Sequence, residues 1–362
     1  MSEGRCLIIA GGTGGHMFPA RAAADALSER GWTVRLATDA RGAHHAGGFP
    51  GGEPARVDAA TPFVKNPIRM AGNLLKLARG VVQARALIRD FKPDVVAGFG
   101  GYVAYPGLWA ARAAGVPYVL HEQNAVLGRV NRVFARSAFA VASGFERLDR
   151  LPADARHEVT GNPVREAIRA ACGHAYAAPS ADGPIELLVI GGSLGARILS
   201  EGVPEAVAAL PEPLRNRMRV TQQTREESLQ RARELYAAAG VEAVCEPFFE
   251  DIGALYAGAH LVIGRAGASS VAELAVTGRP SILIPLAIAM DDHQTGNAAA
   301  LVDAGAADVI AEPDFAPQLL SARLETVLTD GEALARRAQA ARDVGRAQAH
   351  DALADLIEAA AD

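Results

Sequence analysis

The chain has 362 residues, half of them apolar, which is enough to bury two hydrophobic cores. A formal net charge of −5 excludes a nucleic-acid binder that relies on a basic surface. Three scattered cysteines, Cys6, Cys172 and Cys245, form no metal or disulfide pattern and fit reduced cytoplasmic thiols, and no stretch approaches the ~18 continuous apolar residues of a membrane span.

The N-terminus passes from a short polar tag into a strand at Leu7 to Ala10, too brief for a signal-peptide core. A glycine turn leads into a helix with Pro19 near its first turn and Gly31 just past its end, where each is favoured. Thr33 to Thr38 is a second strand, Pro67 to Phe91 a long helix, and Asp94 to Gly98, Val116 to His121 and Phe139 to Ser143 are further strands. Cys172 to Pro184, rich in Ala, Gly and Pro, reads as a linker. The rhythm then restarts with strands at Ile185 to Ile190, Val220 to Gln222, Leu261 to Ile263, Ser281 to Ile284 and Ala307 to Ile310, and ends in a helical stretch from about Glu332 to Ala361. Strands alternating with helices, and an abundance of Ala and Gly, indicate an α/β chain of two facing Rossmann-like domains with parallel, doubly wound sheets.

Glycine-rich turns follow four of the strands: Gly11 to Gly15, Gly98 to Gly101, Gly191 to Gly195 and Gly264 to Gly267. Such turns let the backbone approach a phosphate, and the next helix offers free N–H donors at the positive end of its dipole. A nicotinamide site is disfavoured, because G-x-G at Gly12 and Gly14 calls for glycine where Met17 stands, and Asp39 fits the ribose acid only loosely. No GxxxxGK[ST] and no Asp-x-Asp occurs, which disfavours a P-loop ATPase and a metal-bridged diphosphate held by paired aspartates. Asp291, Asp292 and His293 are adjacent and cannot converge on a metal.

Seven segments, in order along nearly the whole chain, carry a more specific likeness: Gly11-Gly12-Thr13-Gly14-Gly15-His16 with Pro19; Gly100-Gly101-Tyr102-Val103 with Pro106; His121-Glu122-Gln123-Asn124; Gly161-Asn162-Pro163-Val164-Arg165; Gly191-Gly192-Ser193-Leu194-Gly195-Ala196-Arg197; Arg265-Ala266-Gly267-Ala268 with Glu273; and Gln294 with Asn297. Together they resemble the MurG family of peptidoglycan glycosyltransferases, within glycosyltransferase family 28. The resemblance implies a GT-B fold, with an acceptor- and membrane-binding domain over residues 1–162, a donor domain over 163–339, and a last helix of about 340–362 returning to the first domain. It implies inverting transfer of N-acetylglucosamine from UDP-N-acetylglucosamine to the 4-hydroxyl of the muramoyl residue of undecaprenyl-linked lipid I, giving lipid II and UDP. No cofactor or metal is implied. The implied location is peripheral, on the cytoplasmic face of the inner membrane, in the company of cell-wall synthesis proteins.

The resemblance also implies roles. His16 is the candidate general base, since a histidine takes a proton near neutral pH; the alternative is a loop-fixing histidine. Thr13, Gly14 and Gly15 shape the site between donor and acceptor, and Asn124 matches a residue at the cleft. His121 and Glu122 either act in catalysis or hold Asn124 in place. Read from the residues themselves, Ser193 holds a phosphate or caps a helix, and Arg165, after Asn162-Pro163, either neutralises the diphosphate as UDP leaves or is a solvated surface arginine. Ala268, Ser269, Ser270, Val271, Ala272 and Glu273 line the nucleotide pocket, with Glu273 on the ribose hydroxyls; Ser270 to Glu273 also reads as a capping box. The Phe249 backbone faces uracil and Gln294 faces the donor sugar, with His293 before it where several relatives carry a second glutamine. Lys65, Arg69, Lys76 and Arg79 interleave with Ile68, Met70, Leu74, Leu75 and Leu77. That pattern suits an anionic membrane surface, or an ordinary helix with one core face. The rival readings are a UDP-N-acetylglucosamine 2-epimerase, a nicotinamide-dependent oxidoreductase and a non-catalytic UDP-sugar-binding subunit.

Overall fold

The computed structural model describes residues 4–12, 14–61, 66–192 and 195–362. Two compact units form, one from Met1–Arg165 with Gln348–Asp362, the other from Glu166–Ala347. In chain order the first contains β1 (Arg5–Ile9), α1 (Gly14–Glu29), β2 (Thr33–Thr38), β3 (Ala55–Arg56), α2 (Pro67–Phe91), β4 (Val95–Gly98), α3 (Gly101–Ala114), β5 (Tyr118–Glu122), α4 (Arg129–Phe134), β6 (Ala140–Ser143) and β7 (His157–Val159). The second contains α5 (Glu166–Ala171), β8 (Ile185–Ile190), α6 (Arg197–Ala208), α7 (Glu212–Arg215), β9 (Met218–Gln223), α8 (Leu229–Ala238), β10 (Glu242–Glu246), α9 (Ile252–Gly258), β11 (Leu261–Gly264), α10 (Ala268–Thr277), β12 (Ser281–Leu283), α11 (His293–Asp303), β13 (Ala307–Val309), α12 (Pro317–Leu328) and α13 (Gly331–Val344). The chain ends in α14 (Ala349–Ala361), which belongs to the first unit.

The first sheet has seven strands in the order β3-β2-β1-β4-β5-β6-β7, the second six in the order β10-β9-β8-β11-β12-β13. Every ladder in both is parallel. In each sheet the strand order reverses beside the first strand, between β1 and β4 and between β8 and β11. Such a reversal opens a crevice at the carboxyl ends of the strands, where doubly wound sheets take ligands. The four glycine turns of the sequence follow these four strands.

Alternation along β1 shows how a central parallel strand serves two cores. Cys6 and Ile8 pack with α1 and α14 on one face, while Leu7 and Ile9 pack with α2 and α3 on the other. The second unit has one large core, from Ile185 through Leu334.

The last helical stretch is two helices rather than one. The break falls at Gly345, where a Cβ would stand 2.6 Å from the Ala275 carbonyl oxygen. α13 packs on α10 in the second unit, whereas α14 packs on α1 and β4 in the first. α14 buries Leu353, Ala354, Leu356, Ile357 and Ala360, and Arg30 ties its outer face through Asp351, Asp355 and Glu358 at 3.1, 2.6 and 2.9 Å.

Three further expectations change. Residues 172–184 do not link the units: they lie inside the second, where Tyr176 donates to the His260 carbonyl at 2.9 Å. Pro19 is the sixth residue of α1, so it removes a hydrogen bond to the Gly15 carbonyl instead of occupying the first turn. The first half of α2 is not a helix with an ordinary core face. Its N-cap Asn66 accepts from Ile68 N and Arg69 N, but Ile68, Met70, Leu74 and Leu75 are all exposed, Ile68 to 83%. Burial sets in only from Leu77 onward, at Leu77, Gly80, Ala84, Leu87 and Ile88. No described helix is long and apolar enough to cross a membrane.

Candidate functional site

In the first unit the turn after β1 is held from below. Asp39, at the end of β2, accepts from Gly12 N at 3.2 Å and from Gly42 N at 2.9 Å. This buried carboxylate is therefore committed to the glycine turn, which is its role here in place of the ribose contact considered from the sequence. Gly14, Gly15 and His16 open α1; Thr13 lies outside the described residues. Phe18, one turn on, lies against Gly14, and the Arg165 guanidinium sits 5.0 Å above the Phe18 ring. The structure thus brings Arg165 to the same end of the sheet as His16.

The turn after β4 runs beneath the His16 ring. Gly100 and Gly101 adopt φ of 79° and 69°, a region that disfavours any side chain. The nearest His16 atoms stand 3.6 and 3.7 Å from where their Cβ atoms would be.

His16 Nδ1 donates to Gln123 Oε1 at 2.9 Å. The Gln123 amide nitrogen donates to the Phe99 carbonyl at 3.2 Å and to His121 Nδ1 at 3.0 Å. His121 Nε2 in turn donates to the Gly161 carbonyl at 3.2 Å. Glu122 faces the other way. Its Oε1 accepts from Asn124 N and Nδ2 at 3.2 and 3.3 Å, and its Oε2 accepts from Gly128 N and Asn131 Nδ2 at 2.8 and 2.9 Å. Four donors fill a buried carboxyl, so Glu122 holds Asn124 in place. Gln123 and Asn131 are residues of this network that sequence reasoning left without a role. Gln123 lies inside a quoted motif, but only the fold shows that its amide joins two histidines.

Burial lowers the His121 pKa from 6.5 to about 4; the Gly161 carbonyl opposes this and the neighbouring charge of His16 adds to it. Between those limits the unfolded chain binds a proton that the folded chain does not. Stability therefore falls as pH drops from 6.5 to 4, by about 3 kcal/mol at the lower end. Urea midpoints measured across this range should decline more steeply for the native protein than for His121→Asn. Equal slopes would remove His121 as the source.

In the second unit the turn after β8 closes on itself, since a Cβ on Gly191 would stand 2.4 Å from Ala196 N. Ser193 and Leu194 lie outside the described residues. Gln223, at the end of β9, accepts from Gly191 N at 3.0 Å and donates to the Pro247 carbonyl at 3.2 Å. It thereby ties the glycine turn to the loop that carries half-buried Phe249.

After β11, Gly267 is the N-cap of α10 and Ala268 its first residue. Glu273 is therefore the sixth residue of the helix, and a capping box with Ser270 is ruled out, because that device needs the acid at the third position. Glu273 is only 5% exposed. Ala268 to Ala272 form the first turn and a half of α10, with Ser269, Ser270 and Ala272 partly exposed. Arg265 spans two loops. It donates to the Ile284 and Pro285 carbonyls at 3.1 and 3.4 Å and pairs with Glu312 at 2.5 Å, while Ala287 N donates to Glu312 at 2.7 Å. Partial burial raises the Glu312 pKa, but these bonds outweigh it and hold the carboxyl below its ordinary value. Gln294, in the first turn of α11, accepts from Leu286 N at 3.0 Å, which leaves its amino group to reach a ligand. Its neighbour His293 donates from Nδ1 to the Met290 carbonyl at 2.7 Å. The N-termini of α6, α10 and α11 thus follow the carboxyl ends of β8, β11 and β12, an arrangement suited to an anionic ligand.

Residues 6–143 match the glycosyltransferase family 28 N-terminal domain, and residues 186–356 match the family 28 C-terminal domain. The chain is 60% identical over 360 residues to the UDP-N-acetylglucosamine--N-acetylmuramyl-(pentapeptide) pyrophosphoryl-undecaprenol N-acetylglucosamine transferase of Maricaulis maris, covering 99% of this chain and 98% of that protein. A relative of the same name in Caulobacter vibrioides is 49% identical, covering 97% and 98%. Among solved structures, Acinetobacter baumannii MurG superposes with a TM-score of 0.80 at 33% identity, covering 98% of this chain and 99% of that one. A putative UDP-N-acetylglucosamine 2-epimerase from Listeria monocytogenes superposes with a TM-score of 0.66 at 16% identity, covering 97% and 94%, a likeness of fold alone.

Proposed function

The chain belongs to glycosyltransferase family 28 and has the GT-B fold, and on that premise we propose that it transfers N-acetylglucosamine from UDP-N-acetylglucosamine to the 4-hydroxyl of the muramoyl residue of undecaprenyl-diphospho-N-acetylmuramoyl-pentapeptide, with inversion. The observation that carries the proposal is the match over nearly the full length, at 60% and 49% identity, to relatives whose name gives this donor and this acceptor. The two pairs of glycine turns support it.

The second unit takes the donor. Its diphosphate lies against the turns after β8 and β11, where backbone N–H groups and helix dipoles meet negative charge. Glu273 accepts from the ribose hydroxyls, the Gln294 amino group reaches the sugar, and the loop at Phe249 takes the uracil. The first unit takes the acceptor. His16 removes the proton of the 4-hydroxyl as its oxygen attacks the anomeric carbon. The anomeric bond to the diphosphate breaks in the same step, and the electron pair leaves with UDP, whose charge Arg165 balances. A single displacement inverts the anomeric centre and needs no covalent intermediate.

Acceptor-dependent UDP release tests this reading. Release from UDP-N-acetylglucosamine should require the muramoyl lipid. Conversion of the donor to its C2 epimer without acceptor would establish the epimerase instead, and donor binding without turnover would leave a binding subunit.

An acceptor on an undecaprenyl chain requires the enzyme to work at a membrane surface. The exposed apolar residues of α2, Ile68, Leu74, Leu75 and Val82, lie among Arg69, Lys76 and Arg79, the composition of a surface that dips into an anionic interface; Lys65 lies outside the described residues. Ile68→Ser with Leu75→Ser should lower co-sedimentation with phosphatidylglycerol vesicles about 10²-fold, given roughly 1.5–3 kcal/mol for each apolar side chain withdrawn from water. Undiminished binding would place the membrane contact elsewhere.

A further inference from the structure

We propose that Gln123 is a positioning residue that fixes His16 in the tautomer with its proton on Nδ1, so that Nε2 carries the lone pair that takes the acceptor proton. The inference rests on the reading of His16 as the base and extends it to residues behind the ring.

Two backbone carbonyls define the direction of every hydrogen bond in the chain from Phe99 to His16. The Phe99 carbonyl can only accept, so the group of Gln123 that faces it at 3.2 Å is the amide nitrogen. The amide oxygen is then the atom 2.9 Å from His16 Nδ1, and because an amide oxygen only accepts, Nδ1 carries the proton. The second amide hydrogen points at His121 Nδ1, 3.0 Å away, which must therefore be bare. His121 keeps its proton on Nε2, where the Gly161 carbonyl accepts it at 3.2 Å. The amide nitrogen also makes a longer contact of 3.5 Å to the His121 carbonyl, which again only accepts, and reversing any single group would set two acceptors or two donors face to face. The Gln123 backbone is anchored as well, through Asn162 Nδ2 to its carbonyl at 3.4 Å.

The arrangement has a chemical consequence. A histidine ring transfers protons only through the nitrogen that its partner leaves bare, and a group bonded to the other nitrogen decides which that is. A neutral amide does this without adding a negative charge that would hold His16 protonated. His121, buried and bonded on both nitrogens, cannot turn to compete for the proton.

The test uses the full-length protein with [¹⁵N]histidine. Two- and three-bond ¹H–¹⁵N correlations report which ring nitrogen is protonated, and His16→Gln identifies the His16 signals. In the native protein His16 should show a protonated Nδ1 and a bare Nε2, and His121 the reverse. In Gln123→Met the His16 pattern should shift toward the other tautomer. Turnover should fall roughly 10- to 100-fold, the range for lost orienting partners, with the donor KM within about 2-fold of native, as a change confined to the base requires. A native His16 protonated on Nε2 overturns the inference whatever the variant does, and so does native tautomer and turnover in Gln123→Met. If His16→Ala itself keeps native turnover, the base assignment fails. If His16→Ala is inactive while Gln123→Met is normal, only the positioning role of Gln123 falls.

Discussion

His16→Ala is expected to lower turnover at least ~10²-fold with little change in UDP binding. The size follows from the usual contribution of a positioned general base. A sugar hydroxyl is a weak nucleophile until its proton is drawn away, and His16 is the titratable side chain at the first turn of α1, over Gly100 and Gly101. Its hydrogen bond to Gln123 holds the ring in one plane, so the loss should appear in kcat. Steady-state rates with both substrates, and calorimetric binding of UDP, separate the two quantities. Near-native turnover would reduce His16 to a residue that fixes the glycine turn.

Glu273→Ala is expected to raise the donor KM about 10²-fold. A carboxylate that accepts from two ribose hydroxyls loses two charge-assisted hydrogen bonds, each worth roughly 1.5–3 kcal/mol, part of which water restores. The position of the residue sharpens this expectation. Glu273 lies in the second turn of α10, well past the cap at Gly267, and is nearly covered by protein. Helix capping therefore does not account for an acid at this place. Initial rates against donor concentration, with urea unfolding alongside, distinguish the roles: a native KM with a large loss of stability would make Glu273 a structural acid.

Much of this layout is legible in the chain because its strongest signals are local. The runs at Thr33 to Thr38, Pro67 to Phe91 and Ile185 to Ile190 coincide with β2, α2 and β8, since each is bounded by a cap, a proline or a glycine and carries an unbroken apolar pattern. The glycine turns mark both reversals of strand order without any knowledge of the order itself. The edge strands β3, β7 and β10 escape notice, because they are short or polar and owe their conformation to a neighbouring strand. The break between α13 and α14 escapes for a related reason: helical periodicity continues across Gly345, where the backbone turns extended, with φ of −71° and ψ of 136°, close against Ala275. At the site, residue types point to His16 and Asn124, but the division of labour between His121, Glu122 and Gln123 depends on which way consecutive side chains leave the end of β5. Alternation along the strand sends Glu122 to Asn131 and Gly128, and joins His121 to Gln123 behind His16. The exposed half of α2 has the same lesson, since its amphipathic spacing does not say which face meets protein.

Transfer of one sugar to one hydroxyl is the central claim, and the structure of the product tests it most directly. The protein would be incubated with UDP-N-acetylglucosamine and a shortened-chain analogue of the muramoyl-pentapeptide lipid, and the lipid product characterised by mass spectrometry and proton NMR. The account predicts a single added N-acetylhexosamine, joined to the muramoyl 4-oxygen with the large axial–axial coupling of a β-anomer, and one UDP released per lipid modified. An unchanged lipid beside altered donor, or a product with the α-configuration of the donor, would contradict it.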